Sequence, residues 1–156
     1  RIVFPYKPLK NEKMSEKKIL NDIAAIMPEW KALAPEDITL KRMLGITNSI
    51  LKVEHSRLDV SPKCLIYRLF GSEEESKCVI HIDPFLHRDT ETRVFQEIAK
   101  VGAGPCVYGY VKEYRLEEYI PSTVLPAKRM LDEEVLLDVA RQLRLFHSIE
   151  ISFLSQ

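Results

Sequence analysis

The sequence lacks the features that mark membrane, nucleic-acid-binding and metal-stabilised proteins. No apolar run approaches the roughly 20 residues that cross a bilayer, so no membrane span is predicted. The 23 Lys and Arg residues equal the 23 Asp and Glu residues, so no basic excess favours nucleic acid as a partner. The three cysteines, Cys64, Cys78 and Cys106, are widely spaced and contain no CxxC pair. That pattern predicts reduced thiols in a cytoplasmic protein and no structural zinc site.

The composition and the pattern of predicted elements indicate an α+β globular chain. Its 156 residues, 46% hydrophobic and 29% charged, suffice for an ordinary core. We divide them into an N-terminal arm and helix over residues 1–37, a lobe over 38–121, and a linker with a first helix of a further lobe over 122–156. The lobe reads as an antiparallel sheet with one packed helix, which is the α+β class.

The predicted elements follow from periodicity and from residues that start or stop helices. Ser15 is expected to cap a helix that Pro28 ends, and Asp132 to cap the last helix. Alternating or continuous apolar segments predict strands at Ile38–Leu44, Ile46–Val53, Cys64–Phe70, Cys78–Ile82, Val107–Val111 and Leu116–Ile120. Residues 112–115 are read as the turn of the last hairpin, and residues 88–99 as a helix.

Arg68 is the residue that calls for an explanation. It lies in the apolar strand Cys64–Phe70, and a buried guanidinium, which cannot lose its charge, needs an anion. Glu91 precedes Val94 and Phe95 on the apolar stripe of the following helix, so we expect it to be that partner. The pair is either a structural ion pair between helix and sheet or the phosphate-positioning pair of a kinase N-lobe.

Two other segments are ambiguous when read alone. Gly45 is followed by small polar residues between two strands, where backbone N–H groups could approach a phosphate or simply form a hairpin. The segment fits neither GxxxxGK[ST] nor GxGxxG. Residues 118–123 are either a plain linker or a kinase hinge whose backbone contacts adenine.

Taken in order, these segments resemble the N-terminal half of choline/ethanolamine kinases. The likeness runs from about Leu40 to Glu150 and rests on Gly45–Asn48, Leu65–Gly71, Glu91 with Phe95, Gly102–Pro105 with Tyr108-Gly109, Arg115–Pro121 and Leu145–Glu150. It implies a protein-kinase-like N-lobe joined to the start of a helical C-lobe. It also implies transfer of the ATP γ-phosphate to choline or ethanolamine with Mg²⁺. Leu44 stands where the family often has glycine, which leaves the loop shape open.

The resemblance also assigns roles to residues. Glu91 would orient Arg68, and the ATP-binding residues would be Gly45, Ile46, Thr47, Asn48, Ser49, Arg68, Glu118, Tyr119, Ile120, Pro121 and Ser122. Family members are often dimers, so a homodimer is a candidate assembly. The loop around Gly45 favours an ethanolamine kinase and the segment after Glu118 a choline kinase, so the preferred amine stays open.

The residues for chemistry itself are not recognised in this chain. His81-Ile82-Asp83 has the wrong position and lacks an Asn five residues after the Asp, so it is not a catalytic loop. The base, the Mg²⁺ ligands and most of the amine pocket are expected in a C-terminal lobe outside these 156 residues, and the chain alone should be inactive. The alternatives are a non-catalytic kinase-like binding module and another phosphotransferase, such as an aminoglycoside kinase.

Overall fold

The structure, a computed structural model, describes residues 14–43, 48–70, 88–151 and 153. Within these ranges five strands form one sheet in the order β1-β2-β3-β5-β4, and the registered pairs are antiparallel. The strands are β1 (Ile38–Met43), β2 (Asn48–His55), β3 (Cys64–Phe70), β4 (Val107–Tyr110) and β5 (Tyr114–Glu118). The helices are α1 (Glu16–Ile26), α2 (Arg88–Lys100) and α3 (Glu133–His147), with 3₁₀ turns at Pro28–Ala32, Pro35–Asp37 and Ala127–Leu131. The predicted α+β class is confirmed.

The chain divides into two compact units. One contains Arg1–Asp83 with Tyr108–Glu118, and the other contains Pro84–Val107 with Tyr119–Gln156. The first unit holds α1 and almost all of the sheet, whereas the second holds α2 and α3. The described part of the chain includes no helix that is long and apolar enough to span a bilayer.

Helix α1 forms as the sequence predicts. The Ser15 hydroxyl accepts a hydrogen bond from the Lys18 N–H at 3.3 Å, which satisfies one of the unpaired donors of the first turn. Ile19, Leu20 and Ile23 are buried on one stripe, so burial stabilises the helix beyond its own propensity. Helix α1 ends at Ile26, with Met27 as its C-cap, and Pro28 begins the next 3₁₀ turn.

The core of the first unit lies between α1 and one face of the sheet. Its buried side chains include Ile19, Ile23, Trp30, Val53, Leu65, Tyr67, Tyr114 and Leu116. The Tyr67 and Tyr114 rings stack with centroids 5.0 Å apart, and the Trp30 and His55 rings meet edge to face at 4.8 Å. Both tyrosine hydroxyls reach the same α1 residue. Tyr67 donates to Asp22 Oδ2 at 2.9 Å and Tyr114 to the Asp22 carbonyl at 3.0 Å.

The register of β3 with its neighbours decides what the opposite face carries. Tyr67 pairs with Leu116, and these residues belong to the core beside α1. Because successive side chains alternate across a strand, Arg68 and its partner Arg115 lie on the other face. Glu117, which pairs with Ile66, shares that face with them. A polar cluster is therefore formed opposite the apolar core.

The last hairpin differs from its prediction. The turn was expected at 112–115, but β5 already begins at Tyr114, and the Val111 N–H donates to the Tyr114 carbonyl at 2.9 Å. The reason is packing, because the Tyr114 ring is buried against Tyr67 and draws its backbone into the sheet. Arg115 is consequently a buried strand residue on the face of the sheet opposite α1. Strand β5 ends at Glu118 instead of Ile120.

In the second unit, α2 ends where the glycines predict. Gly102 has a φ of 71°, a left-handed conformation that favours glycine, and its N–H donates to the Ala99 carbonyl at 3.0 Å. Helix α3 begins after Asp132 as expected, but the Asp132 side chain makes no capping hydrogen bond. Its carboxylate accepts from Arg129 Nε at 3.0 Å instead, so the predicted side-chain cap is wrong.

Helix α3 carries its predicted apolar stripe on an exposed surface. Leu136, Val139, Leu143 and Phe146 each expose about half of their side-chain surface, between 48% and 51%. Other predicted features lie outside the described residues: the Gly45 turn, the strand at Cys78–Ile82 and the His81-Ile82-Asp83 triplet.

Candidate functional site

Arg68 and Glu117 form the centre of the polar cluster. Arg68 Nε donates to Glu117 Oε1 at 2.5 Å, and Arg68 Nη2 donates to Glu117 Oε2 at 2.9 Å. This is the side-on bidentate geometry that makes Arg–carboxylate pairs both strong and directional. The Arg68 side chain is 23% exposed, so it is partly accessible and not buried as the apolar strand pattern suggests. It is half-buried, because β5 shields one edge of the guanidinium.

Arg115 completes the cluster from the neighbouring position on β5. Its Nε donates to Glu117 Oε1 at 2.8 Å, so that one oxygen accepts from both arginines. Arg115 and Glu117 are almost wholly buried, with side-chain exposures of 2% and 3%. The Arg115 guanidinium also lies 5.8 Å from the centroid of the Phe70 ring.

Opposing effects set the ionisation of Glu117. Burial is the largest single effect and by itself disfavours the carboxylate, but the hydrogen bonds and charges of Arg68 and Arg115 together outweigh it. The pKa of Glu117 is therefore lowered from its ordinary value of 4.5. Glu117 is an anion at neutral pH, and the cluster keeps its bidentate geometry there.

Sequence reasoning did not assign a role to Arg115 or Glu117. The pattern predicts Arg115 in the turn, and Glu117 enters only as part of the segment Arg115–Pro121 that resembles the family. A signal existed, because the two residues are separated by one apolar residue, Leu116, and alternate onto one face of a strand. This spacing puts a cation and an anion, Arg115 and Glu117, on one face of a single strand, which predicts an ion pair there.

Asn48 and Ser49, both predicted to bind nucleotide, are the first residues of strand β2, within the strand predicted at Ile46–Val53. Asn48 pairs with Phe70, so alternation puts it on the same face as Arg68. Asn48 is only 8% exposed, and within the described part of the chain its Oδ1 has no hydrogen-bond partner. Ser49 Oγ accepts from Arg42 Nη2 at 3.2 Å. Gly45, Ile46 and Thr47 lie outside the described residues.

The predicted hinge segment leaves the end of β5. Glu118 is the last strand residue and is exposed, Tyr119 is half-buried, and Ile120 is 51% exposed. Pro121 and Ser122 are exposed and belong to no helix or strand. The division between the two units falls between Glu118 and Tyr119. The segment lies outside helices and strands after Glu118, and its role as a hinge stays a prediction.

Glu91, the predicted partner of Arg68, lies half-buried in the first turn of α2. It belongs to the second unit and Arg68 to the first, so the Arg68–Glu91 pairing stays a prediction. In the part of the chain that the structure describes, no group of three or more His, Cys, Asp or Glu side chains could hold a metal ion.

What the cluster can do chemically follows from its geometry and exposure. A partly exposed guanidinium that a carboxylate holds in place suits hydrogen bonding to the oxygens of an anion such as phosphate. Among the described residues, this cluster offers no acid or base positioned for a reaction.

The chain is similar to known proteins in sequence and in fold. The family model described as choline/ethanolamine kinase matches residues 40–156. A curated relative, probable choline kinase 3 of Arabidopsis thaliana, is 33% identical over 134 residues, which are 83% of this chain and 36% of that protein.

Solved structures agree on the fold. A choline kinase from Cryptosporidium parvum Iowa II matches with a TM-score of 0.69 at 20% identity, over 90% of this chain and 37% of that one. An ethanolamine kinase of Plasmodium vivax matches with a TM-score of 0.60 at 17% identity, over 94% of this chain and 42% of that one. The chain thus spans a little over one third of the length of its first curated relative, 36%. By the family match over three quarters of its residues, the chain belongs to the choline/ethanolamine kinase family.

Proposed function

We propose that the complete protein transfers the γ-phosphoryl group of ATP to the hydroxyl of choline or ethanolamine. In this proposal the described sheet is the nucleotide-binding lobe, and Arg68 contacts the ATP phosphates. The single observation that carries it is the Arg68–Glu117–Arg115 cluster, in which a carboxylate orients one partly exposed guanidinium, that of Arg68. Membership of the family supplies the reaction class.

The physical argument is that phosphoryl transfer depends on positioning and on neutralising charge. An arginine held by a bidentate carboxylate loses little further conformational freedom when it binds a phosphate. The entropic cost of binding is therefore smaller, and the affinity for the phosphate is higher. Asn48 supports the same location, since its buried Oδ1 faces the side of the sheet that Arg68 occupies. The segment 118–122 would then contact adenine through its exposed backbone.

Other parts of the proposal concern residues and properties beyond this cluster. Mg²⁺ would be held by side chains outside the described residues, where it would neutralise phosphate charge. The base and the amine pocket would lie in the remaining part of the protein. We further propose a cytoplasmic location, a role in the first step of phosphatidylcholine or phosphatidylethanolamine synthesis, and a homodimer.

The test uses the full-length protein with ATP and Mg²⁺. We expect ADP release with choline or ethanolamine and none with an aminoglycoside such as kanamycin. Arg68→Met should raise the KM for ATP by about tenfold or more, because charge-assisted hydrogen bonds contribute about 1.5–3 kcal/mol. The matched control is Arg57→Met, since Arg57 pairs with the exposed Asp59 away from the cluster and should leave the KM unchanged.

The outcomes separate the alternatives. Turnover with kanamycin alone would show an aminoglycoside kinase, and no turnover with any acceptor would leave a binding module. If Arg68→Met leaves the KM for ATP unchanged while choline or ethanolamine is phosphorylated, the reaction stands and the assignment of Arg68 is wrong.

A further inference from the structure

Glu117 is placed to control the direction in which Arg68 points. Its two oxygens take the side-on edge of the Arg68 guanidinium, Nε and Nη2, at 2.5 and 2.9 Å. A guanidinium is planar, so two parallel hydrogen bonds fix both its position and its plane. The end-on edge, formed by Nη1 and the second hydrogen of Nη2, is then directed away from Glu117.

We infer that Glu117 is a positioning residue for ATP binding, which holds the Arg68 guanidinium in the orientation that meets phosphate, and that Arg115 holds Glu117 in turn. This inference rests on the proposed contact between Arg68 and the ATP phosphates. It adds a carboxylate on β5 to the one on α2, Glu91, whose pairing with Arg68 stays a prediction.

Exposure separates the roles of the two arginines. Arg115 is 2% exposed, so a ligand cannot reach it, whereas Arg68 is 23% exposed. Both donate to the same oxygen, Glu117 Oε1, through their Nε atoms. Arg115 therefore holds the Glu117 carboxylate in place from the buried side by a hydrogen bond. The carboxylate in turn holds the partly exposed Arg68 guanidinium.

Glu117 lies between Arg68 and Arg115, which are directly paired on neighbouring strands. The same arrangement shows why neutralising Glu117 would leave two guanidiniums opposite each other on paired strands.

The experiment measures the Kd for ATP in the full-length protein by calorimetry, together with the KM for ATP. Glu117→Gln keeps the side-chain shape and removes the charge. We expect its Kd and KM for ATP to rise about tenfold, the lower end of what loss of an orienting group costs at metal sites, with the KM for the amine unchanged. The matched control is Glu113→Gln, an exposed glutamate of the same hairpin, which should change neither value.

A second background distinguishes positioning from general damage. If Glu117 acts through Arg68, Glu117→Gln should weaken ATP binding in the wild-type background and have little further effect beside Arg68→Met. An equal loss in both backgrounds, or an unchanged Kd in a folded Glu117→Gln protein, overturns the inference. Should Glu117→Gln not fold, Glu117→Asp, which keeps the charge but retracts it by one methylene, is judged by the same two criteria.

Failure of the inference and failure of the proposed function look different. A wild-type protein that binds ATP but phosphorylates neither choline nor ethanolamine refutes the proposed function and leaves the binding comparison intact. A wild-type protein that phosphorylates either amine while Glu117→Gln binds ATP normally refutes only the role of Glu117.

Discussion

At the scale of single residues, the most consequential side chain is a buried carboxylate between two guanidiniums. Burial disfavours the charge of Glu117, but the hydrogen bonds and charges of Arg68 and Arg115 hold its pKa below the ordinary 4.5. A group whose pKa is lowered on folding stabilises the fold above its unfolded pKa. That stabilisation is lost as the pH falls through the folded pKa.

Glu117→Gln should therefore destabilise the first unit most at neutral pH. We expect a loss of about 3–5 kcal/mol in the free energy of unfolding, the usual cost of breaking a buried ion pair. The difference from wild type should shrink as the pH is lowered below about 4.5, because the unfolded wild type then takes up a proton. Urea titrations at several pH values measure it. Glu113→Gln should stay within about 0.5 kcal/mol of wild type, and a difference that grows with acidity would contradict the argument.

At the scale of elements, helix α1 is joined to the sheet by polar as well as apolar contacts. Asp22 accepts the Tyr67 hydroxyl through its carboxylate and the Tyr114 hydroxyl through its carbonyl. Burial, with the hydrogen bond to Asp22, raises the pKa of Tyr67 far above its ordinary value of 10, so the hydroxyl remains a donor. On β4, Gly109 allows close approach, since a Cβ there would lie 2.5 Å from Ile26 Cγ2.

Removing the two hydroxyls should cost unequal amounts. Tyr67→Phe loses a hydrogen bond to a carboxylate, for which we expect about 1.5–3 kcal/mol, whereas Tyr114→Phe loses a neutral bond of about 0.5–1.5 kcal/mol. Tyr110→Phe, at a more exposed tyrosine on β4, is the control and should be nearly neutral. Thermal or urea unfolding ranks the three, and an equal or reversed order would show that Asp22 does not hold α1 through its carboxylate.

Gly109→Ala should push α1 away from β4. We expect a loss of about 1–3 kcal/mol from overpacking, since Ile26 Cγ2 moves only with χ1, which is strongly restricted for a β-branched residue in a helix. Ile26→Ala removes that methyl group, so the double variant should recover part of the loss relative to the sum of the two single variants. Strict additivity of the two unfolding free energies would mean that the close approach has no energetic consequence.

At the scale of the whole molecule, local signals in the sequence predicted most of the described elements, but not the contact between Arg68 and Glu117 within the sheet. Periodicity and caps predicted α1, β3 and α2, because their signals are local, as with Ser15 and Gly102. The Glu117 contact could not be predicted in this way, since it depends on the β3–β5 register. That register depends on burial of Tyr114, which is a tertiary effect.

Residues 1–156 alone should lack kinase turnover. The described residues contain a candidate phosphate-binding cluster but no group of acidic or histidine ligands for a metal. Purified residues 1–156 with ATP, Mg²⁺ and choline or ethanolamine should release no more ADP than a blank without protein. The full-length protein in parallel is the positive control. Turnover by residues 1–156 would show that a base and metal ligands lie among residues outside the described ranges.

The core beside α1 also gives the chain an optical property. Trp30 is the only tryptophan in the sequence, its side chain is fully buried, and the His55 ring meets it edge to face at 4.8 Å. Indole emission moves to longer wavelength when the ring enters water. The intrinsic fluorescence of residues 1–156 therefore reports opening of the first unit and says nothing about α2 or α3. Monitoring the second unit separately would need a tryptophan introduced there.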